Sequence, residues 1–244
     1  PSLTRYVSEG FYFCRRIKTN KIMTQERFST LEECCEFATQ FCLLTPKKKL
    51  EQKDNMVAMH IALARHIDEL INRVCTRHDL ECQWEWNYGL CWRGGAGRCY
   101  SHLCLSSLLP NIVFYGANYI REVILHELAH LTNPHHRRRF WKTNIAYLQE
   151  EGLLPEGEVT EEEEVVEDRW GGELKYHSLY LNGKLIVYRW EMGSSLVGRI
   201  TEHNPLLAEN RKVSFRSMER GARAMKAIIR EARDNKQLNI KFVI

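Results

Sequence analysis

The sequence contains no run of apolar residues that approaches the roughly 18 needed for a membrane-spanning helix. Its first residues, from Pro1 to Tyr6, also lack the apolar segment of a secretory signal. The nine cysteines form no C-x-x-C pair, and their odd number favours free thiols over a disulfide framework. From these three features we expect a cytoplasmic protein with no membrane partner.

A phosphate-binding glycine loop is missing as well. The glycine-rich stretch from Gly94 to Gly97 is not followed by the Lys-Ser/Thr pair of a P-loop, and it does not form a G-x-G-x-x-G pattern. We therefore interpret these glycines as a loop and do not predict a nucleotide site there.

Charge is unevenly distributed along the 244 residues, although the net charge is only +4. Eight acidic residues and no basic residue occur between Glu156 and Asp168. From Arg169 onward, 15 lysines and arginines stand against 7 acidic residues. A basic segment favours an anionic partner, but two solvated faces of opposite charge would give the same pattern. Both interpretations stay open at this point.

The hydrophobic pattern predicts an α+β protein, because helical spacing of apolar residues alternates with strand signals. The predicted helices cover residues 31–41, 54–77, 118–132, 136–149 and 214–233. Strands are predicted from Cys99 to Ser107 and in two hairpins, one between Gly10 and Met23 and one around Asn182-Gly183. Pro46 and the lysines after it are predicted to interrupt the helical pattern.

These elements predict four segments along the chain. Residues 1–50 are an N-terminal hairpin-helix extension, and residues 51–152 are the core. Residues 153–172 are an acidic linker or loop, and residues 173–244 are a C-terminal hairpin followed by a basic amphipathic helix.

The H-E-L-A-H pattern from His126 to His130 carries the functional prediction. Positions i and i+4 lie on one face of a helix, so the two imidazoles can bind one cation with Zn–N bonds of about 2.0–2.1 Å. Glu127 lies beside that face, where its carboxylate can reach a water bound to the metal without ligating the metal itself. A chain of this composition is expected to contain the pattern by chance only about 0.04 times.

A catalytic zinc site needs a third protein ligand that leaves one position open for water. His135 and His136 both follow directly, and their spacing alone does not choose between them. The run from His126 to Trp141 resembles the SprT-like metallopeptidases, most closely their YgjP-type branch with its H-E-L-x-H-x5-H-x3-F-W pattern. This resemblance covers roughly residues 52–150, and it implies that the third ligand is His136.

The resemblance also implies a fold and an activity. The fold is a zincin-like α+β metallopeptidase core with hairpin and helix additions at both ends. The activity is that of a zinc metalloendopeptidase, in which Glu127 acts as general base and then general acid in peptide hydrolysis. An oxyanion-stabilising group is expected as well. Its candidates near the pattern in sequence are Tyr115, Tyr119, Arg138 and Tyr147.

Two sets of arginines are candidates for contact with an anionic substrate or with DNA or RNA. They are Arg137, Arg138 and Arg139 after the third histidine, and Arg220, Arg223 and Arg230 on the predicted C-terminal helix. Cations at a helix N-terminus oppose the helix dipole, which favours a functional role for the first set. The alternative is that both sets are solvated helix faces.

Three hypotheses about function follow. The leading one is a zinc metallopeptidase that cleaves protein substrates, with DNA or RNA near its basic C-terminal surface. The second is a regulatory peptidase with one specific protein partner, and the third is a catalytically silent, zinc-stabilised binding module. The presence of Glu127 argues against the third, because a purely structural zinc site does not need a general base.

Overall fold

The computed structural model describes residues 28–86, 97–99, 103–105, 113, 116–167, 171–191, 215–235 and 242–243. The helices in this part of the chain are α1 (Leu31–Leu43), α2 (Pro46–Glu51), α3 (Lys53–His78), α4 (Ala117–Thr132), α5 (Arg138–Glu150) and α6 (Phe215–Asp234). Its strands are β1 (Gln83–Trp86), β2 (Gly97–Cys99), β3 (Leu103–Leu105), β4 (Val159–Glu167), β5 (Glu173–Leu181), β6 (Lys184–Glu191) and β7 (Phe242–Val243). The architecture is therefore mixed α+β, as predicted. The hairpin predicted between Gly10 and Met23 lies outside the described residues.

The five predicted helices are confirmed, with ends that differ by a few residues. The start of α1 is fixed by a capping box, in which Thr30 Oγ1 accepts from the Glu33 amide at 3.2 Å and Glu33 Oε2 accepts from the Thr30 amide at 3.3 Å. The interruption predicted at Pro46 is partly correct: α1 ends at Leu43, but Pro46 and the lysines after it begin the short helix α2. Its N-terminal position suits proline, and Thr45 caps the helix.

The central element is α3, a helix of 26 residues. Its buried face includes Met59, Leu63, Ile67 and Ile71, and it packs against α1, α4 and α6. Buried side chains of all these helices belong to one continuous hydrophobic cluster. The helix that carries the H-E-L-A-H pattern therefore packs on the long helix that precedes it.

A four-stranded sheet with the order β2-β3-β1-β7 lies beside these helices, and its edge strand β2 contacts α4. The strands β1 and β3 are parallel, while the other two pairs are antiparallel. The single strand predicted from Cys99 to Ser107 is wrong. Cys99 pairs with Leu103, so this stretch contributes to two short antiparallel strands instead of one long strand.

The strands β4, β5 and β6 form a separate antiparallel sheet in that order. The predicted hairpin at Asn182-Gly183 is confirmed, since it joins β5 to β6 and both turn residues have positive φ angles, 51° and 76°. These angles are typical of the two-residue turn that matches the twist of the flanking strands.

The acidic segment predicted as a linker or loop is wrong over residues 159–167, because these residues form β4. This strand pairs with β5 along its whole length. Successive side chains alternate between the two faces of the sheet, which separates neighbouring glutamates. Glu163 lies 3.6 Å from the Lys175 ammonium, and Glu161 lies 3.4 Å from His177 Nδ1. The ammonium of Lys175, across the strands, therefore compensates part of the acidic charge. The four-segment division as a whole stays a prediction.

The C-terminal helix α6 packs on α1 and α3 through Met218, Ala222, Met225 and Ile229. At Gly221, α6 approaches α1 so closely that a Cβ atom would lie 2.1 Å from Cys42 Sγ. Glycine is therefore required at this position. Among the described helices, none combines the length and the apolar character needed to cross a membrane.

Candidate metal centre

Two helices and the short segment between them bring three histidines together. His126 and His130 lie one turn apart near the C-terminal end of α4. The helix ends at Thr132, and Pro134 follows two residues later, so the chain leaves the helix and turns back. His136 lies in this turn, two residues before α5 begins. The side chains of the three histidines form the one group in the described residues that could hold a metal ion.

The ligand atoms of this group converge with a spacing that suits a small cation. His136 Nε2 lies 2.9 Å from His126 Nε2 and 3.1 Å from His130 Nε2. Ligands at about 2.0–2.1 Å from a tetrahedral zinc ion are separated from each other by roughly 3.3–3.4 Å. A small relaxation of the three rings would therefore admit the ion, and the all-nitrogen donor set is one that zinc prefers.

The environment keeps all three imidazoles neutral, as metal ligands must be. Burial, together with the neighbouring imidazoles of His136 and His130, lowers the pKa of His126 to about 3. Burial also lowers the pKa of His130 and of His136. In addition, His130 Nδ1 lies 3.2 Å from the carbonyl oxygen of Asn133. Donation of the Nδ1 proton to this carbonyl leaves the Nε2 lone pair directed at the site.

Of the two histidines that the spacing left open, the structure places His136 in the group. His135 is exposed and is not a member of it. The grouping is thus the one that the resemblance implied.

Glu127 follows His126 on α4 and is buried, with 9% of its surface exposed. Burial raises the pKa of its carboxyl to about 7. A carboxylate whose pKa lies near neutrality can both accept and return a proton in that pH range. The side chain is not one of the three metal-ligand candidates, which leaves it available for proton transfer.

Two aromatic side chains of α5 surround the three imidazoles, and we did not predict this contact from the sequence. The fully buried ring of Phe140 lies 4.3 Å from His130, 4.7 Å from His136 and 4.8 Å from His126, measured between ring centroids. Trp141 stacks on His136 at 5.7 Å with an interplanar angle of 28°. The Phe-Trp pair in the H-x3-F-W pattern was the available signal, but the pattern alone does not show what the rings touch.

The other residues proposed from sequence lie in different surroundings. Tyr115 is outside the described residues. Tyr147 is buried with its ring 4.5 Å from that of His78 on α3. The guanidinium of Arg138 forms an ion pair with Glu161 of β4. Tyr119 is partly buried in the first turn of α4, two turns before His126.

The arginines at the start of α5 and those on α6 are exposed on different elements. Arg137, Arg138 and Arg139 border the metal-ligand candidate His136. Arg220, Arg223 and Arg230 project from α6, which packs on α1 and α3. The two sets are therefore two separate candidate sites for an anionic partner.

Comparison with protein families gives a match for the segment that carries this centre. Residues 98–150 match the family model described as YgjP-like, metallopeptidase domain. This segment contains all three histidines, Glu127 and the two aromatic residues. The match confirms the resemblance to the YgjP-type metallopeptidases, and it supports a metal-dependent peptidase. The match does not extend to residues 1–97 or 151–244. Neither a curated protein nor a solved structure gives a significant match.

Proposed function

We propose that this protein is a zinc-dependent endopeptidase that cleaves protein substrates. The observation that carries the proposal is the convergence of His126, His130 and His136 on one point, with the buried Glu127 next to the first of them. The family match over residues 98–150 supports the same proposal. Packing of α4 against α3 and beside the edge strand β2 is compatible with a zincin-like core.

The three histidine Nε2 atoms would hold the ion, and the side chain of Glu127 would move the protons. Zinc, when bound, supplies a Lewis acid that polarises the scissile carbonyl and acidifies water. Glu127 would take a proton from the attacking water and then give it to the departing amine, so that one carboxylate serves both half-steps. Its burial excludes bulk water from the carboxylate and helps to keep the transferred proton in the site.

An extended substrate segment would lie most simply along β2. This strand is at the edge of the first sheet as far as the described strands define it, and it contacts α4. Addition of a substrate strand to a sheet edge uses main-chain hydrogen bonds and therefore tolerates many sequences.

Removal and return of the metal test the proposed activity. The full chain, loaded with zinc, is incubated with an unfolded protein substrate whose fragments are identified by mass spectrometry. We expect cleavage inside the substrate chain, loss of cleavage after a chelator removes the zinc, and recovery with one equivalent of Zn²⁺ but not of Mg²⁺. Cleavage that persists in the metal-free protein would contradict the proposal, and so would a zinc-loaded chain that cleaves no unfolded protein.

A nucleic acid near the site is a second proposal, and the arginines of α6 support it. Arg216, Arg220 and Arg230 are exposed and lie within 4 Å of no carboxylate among the described residues, whereas Arg223 is 3.6 Å from Glu219. Cations along one helix face with no carboxylate that close in the described part of the chain are available to phosphates. A specific protein partner on the same face is the alternative, and the catalytically silent module is disfavoured by the buried carboxylate of Glu127. The cytoplasmic location stays a prediction.

A further inference from the structure

The first turn of α5 lacks the features that ordinarily stabilise a helix start. Its N-cap residue, Arg137, makes no side-chain hydrogen bond to the free amides of the turn, and the turn contains no acidic residue. Arg138 and Arg139 occupy the first two helical positions, where their charges oppose the helix dipole. Another interaction must therefore hold this turn, and with it the preceding residue His136.

Besides the ion pair of Arg138 with Glu161 and the burial of Phe140, the stack between His136 and Trp141 is such an interaction. His136 immediately precedes the N-cap, and Trp141 is the fourth residue of the helix. A contact between these two positions is the arrangement of a hydrophobic staple, which fixes the path of the chain into a helix. Here the rings are 5.7 Å apart and close to parallel. The unusual feature is that one half of the staple is a metal-ligand candidate.

The indole of Trp141 does not owe its position to a hydrogen bond. Only 5% of the residue is exposed, and in the described structure its buried Nε1 atom has no hydrogen-bond partner. An unsatisfied buried donor is unfavourable, so the N–H group does not explain why the indole lies here. The ring of Trp141 is therefore held by its contacts with the imidazoles of His136 and, at 5.9 Å, of His126.

We propose that Trp141 is a positioning residue of the metal centre, which staples the third ligand, His136, to the first turn of α5. Formation of that turn and assembly of the three-histidine site are then one event. The inference rests on the proposed metal site, but not on peptidase activity. It predicts that loss of the stack loosens the first turn of α5, and that the less ordered His136 then binds the metal more weakly.

The test measures zinc affinity by chelator competition and amide hydrogen exchange of residues 137–142 in the metal-free protein. We expect Trp141→Ala and Trp141→Leu to bind zinc about 10–100-fold more weakly, as is typical when an outer-shell partner of a ligand is lost. Both variants should also exchange faster in the first turn of α5. Trp141→Phe keeps an aromatic ring, and its affinity should stay within a few-fold of the native value. Trp141→Leu retains most of the buried volume, so it remains informative if the alanine variant does not fold.

Two further variants separate the staple from general destabilisation. Leu148→Ala removes a buried side chain from the same helix, further from its start, and should lower stability with little change in zinc affinity. Arg137→Asn supplies a capping side chain at the N-cap. Added to Trp141→Leu, it should slow exchange in the first turn and restore part of the zinc affinity.

The outcomes are distinct for the two proposals. Native zinc affinity in Trp141→Leu would overturn the inference, and so would weakened affinity with unchanged exchange in the first turn. Failure of Arg137→Asn to restore either quantity would also count against the staple. If the native chain binds zinc but cleaves nothing, the proposed function fails while the inference stands. If the native chain binds no zinc, the metal site and the inference both fail.

Discussion

Glu161 of β4 forms an ion pair with Arg138, the first residue of α5 and the second residue after His136. The acidic strand is therefore joined to the basic turn that borders the metal centre. Lys142, one turn further along α5, is 3.9 Å from the same carboxylate oxygen, and His177 approaches the other oxygen. The side chain of Glu161 is only 14% exposed, so little solvent lies between this carboxylate and the positive charges at the start of α5.

The contact predicts how the acidic strand affects anion binding. Glu161→Gln removes the negative charge but keeps the size of the side chain, so Arg138 and Lys142 become available to phosphates. We expect tighter binding of duplex DNA at low salt, measured by fluorescence anisotropy, with an unfolding free energy that falls by no more than about 1 kcal/mol. Glu164→Gln, on the exposed other face of β4, is the matched control. Equal DNA affinity in all three proteins would show that Glu161 does not mask this site.

The basic face of α6 gives a second expectation for nucleic-acid binding. Charge reversal of Arg220, Arg223 and Arg230 to Glu should weaken binding to all sequences alike, because phosphate contacts carry no sequence information. In the native chain, log affinity should fall linearly with log salt, with a slope near −0.9 per duplex phosphate contact neutralised. Zinc content should not change. Lys184→Glu, at the exposed hairpin turn, serves as the control. If neither the native chain nor Glu161→Gln binds DNA at low salt, a protein partner becomes the better account.

The choice between the adjacent histidines is open to a direct comparison. His136→Ala should lower zinc affinity sharply, since it removes one of three ligand atoms that lie within 4.8 Å of one another. His135→Ala should retain native affinity, because the exposed His135 is outside the group. Chelator competition on the two purified proteins measures both. Equal losses of affinity would mean that the ligand set is different from the one described.

The buried His60 on α3 predicts part of the pH dependence of stability. Only 1% of it is exposed, and burial lowers its pKa from 6.5 to about 4. Between these values the unfolded chain binds a proton that the folded chain does not, so stability should decrease as the pH falls from 6.5 towards 4. His60→Leu should make this decrease shallower in urea unfolding of the zinc-free protein. An unaltered slope in His60→Leu would refute the assignment.

The sequence predicted the elements that depend on local spacing. Apolar residues of α3 and α4 recur with the helical period, and His126 and His130 share a helix face for the same reason. The hairpin at Asn182-Gly183 also follows from local turn chemistry. Local spacing did not choose between His135 and His136, because that choice depends on how the chain turns after Pro134. The family resemblance supplied it.

Features that depend on tertiary contacts were missed. Consecutive glutamates have low β propensity, so β4 was predicted as a linker or loop. In the fold, β5 places Lys175 and His177 beside Glu161 and Glu163, and this register is not visible in the sequence. The ring contacts of Phe140 and Trp141 were missed for a related reason, since they require α5 to pack back onto α4.

The most direct test of the central claim is the Glu127→Gln variant, assayed for zinc content and peptide hydrolysis in the same preparation. The amide is nearly isosteric with the carboxylate and Glu127 is not a proposed ligand, so the variant should fold and hold one zinc ion like the native chain. Without a general base it should lose hydrolysis by about 10²–10⁴-fold. Full zinc content with this loss is the result that the account predicts. Full zinc content with unchanged turnover would contradict it.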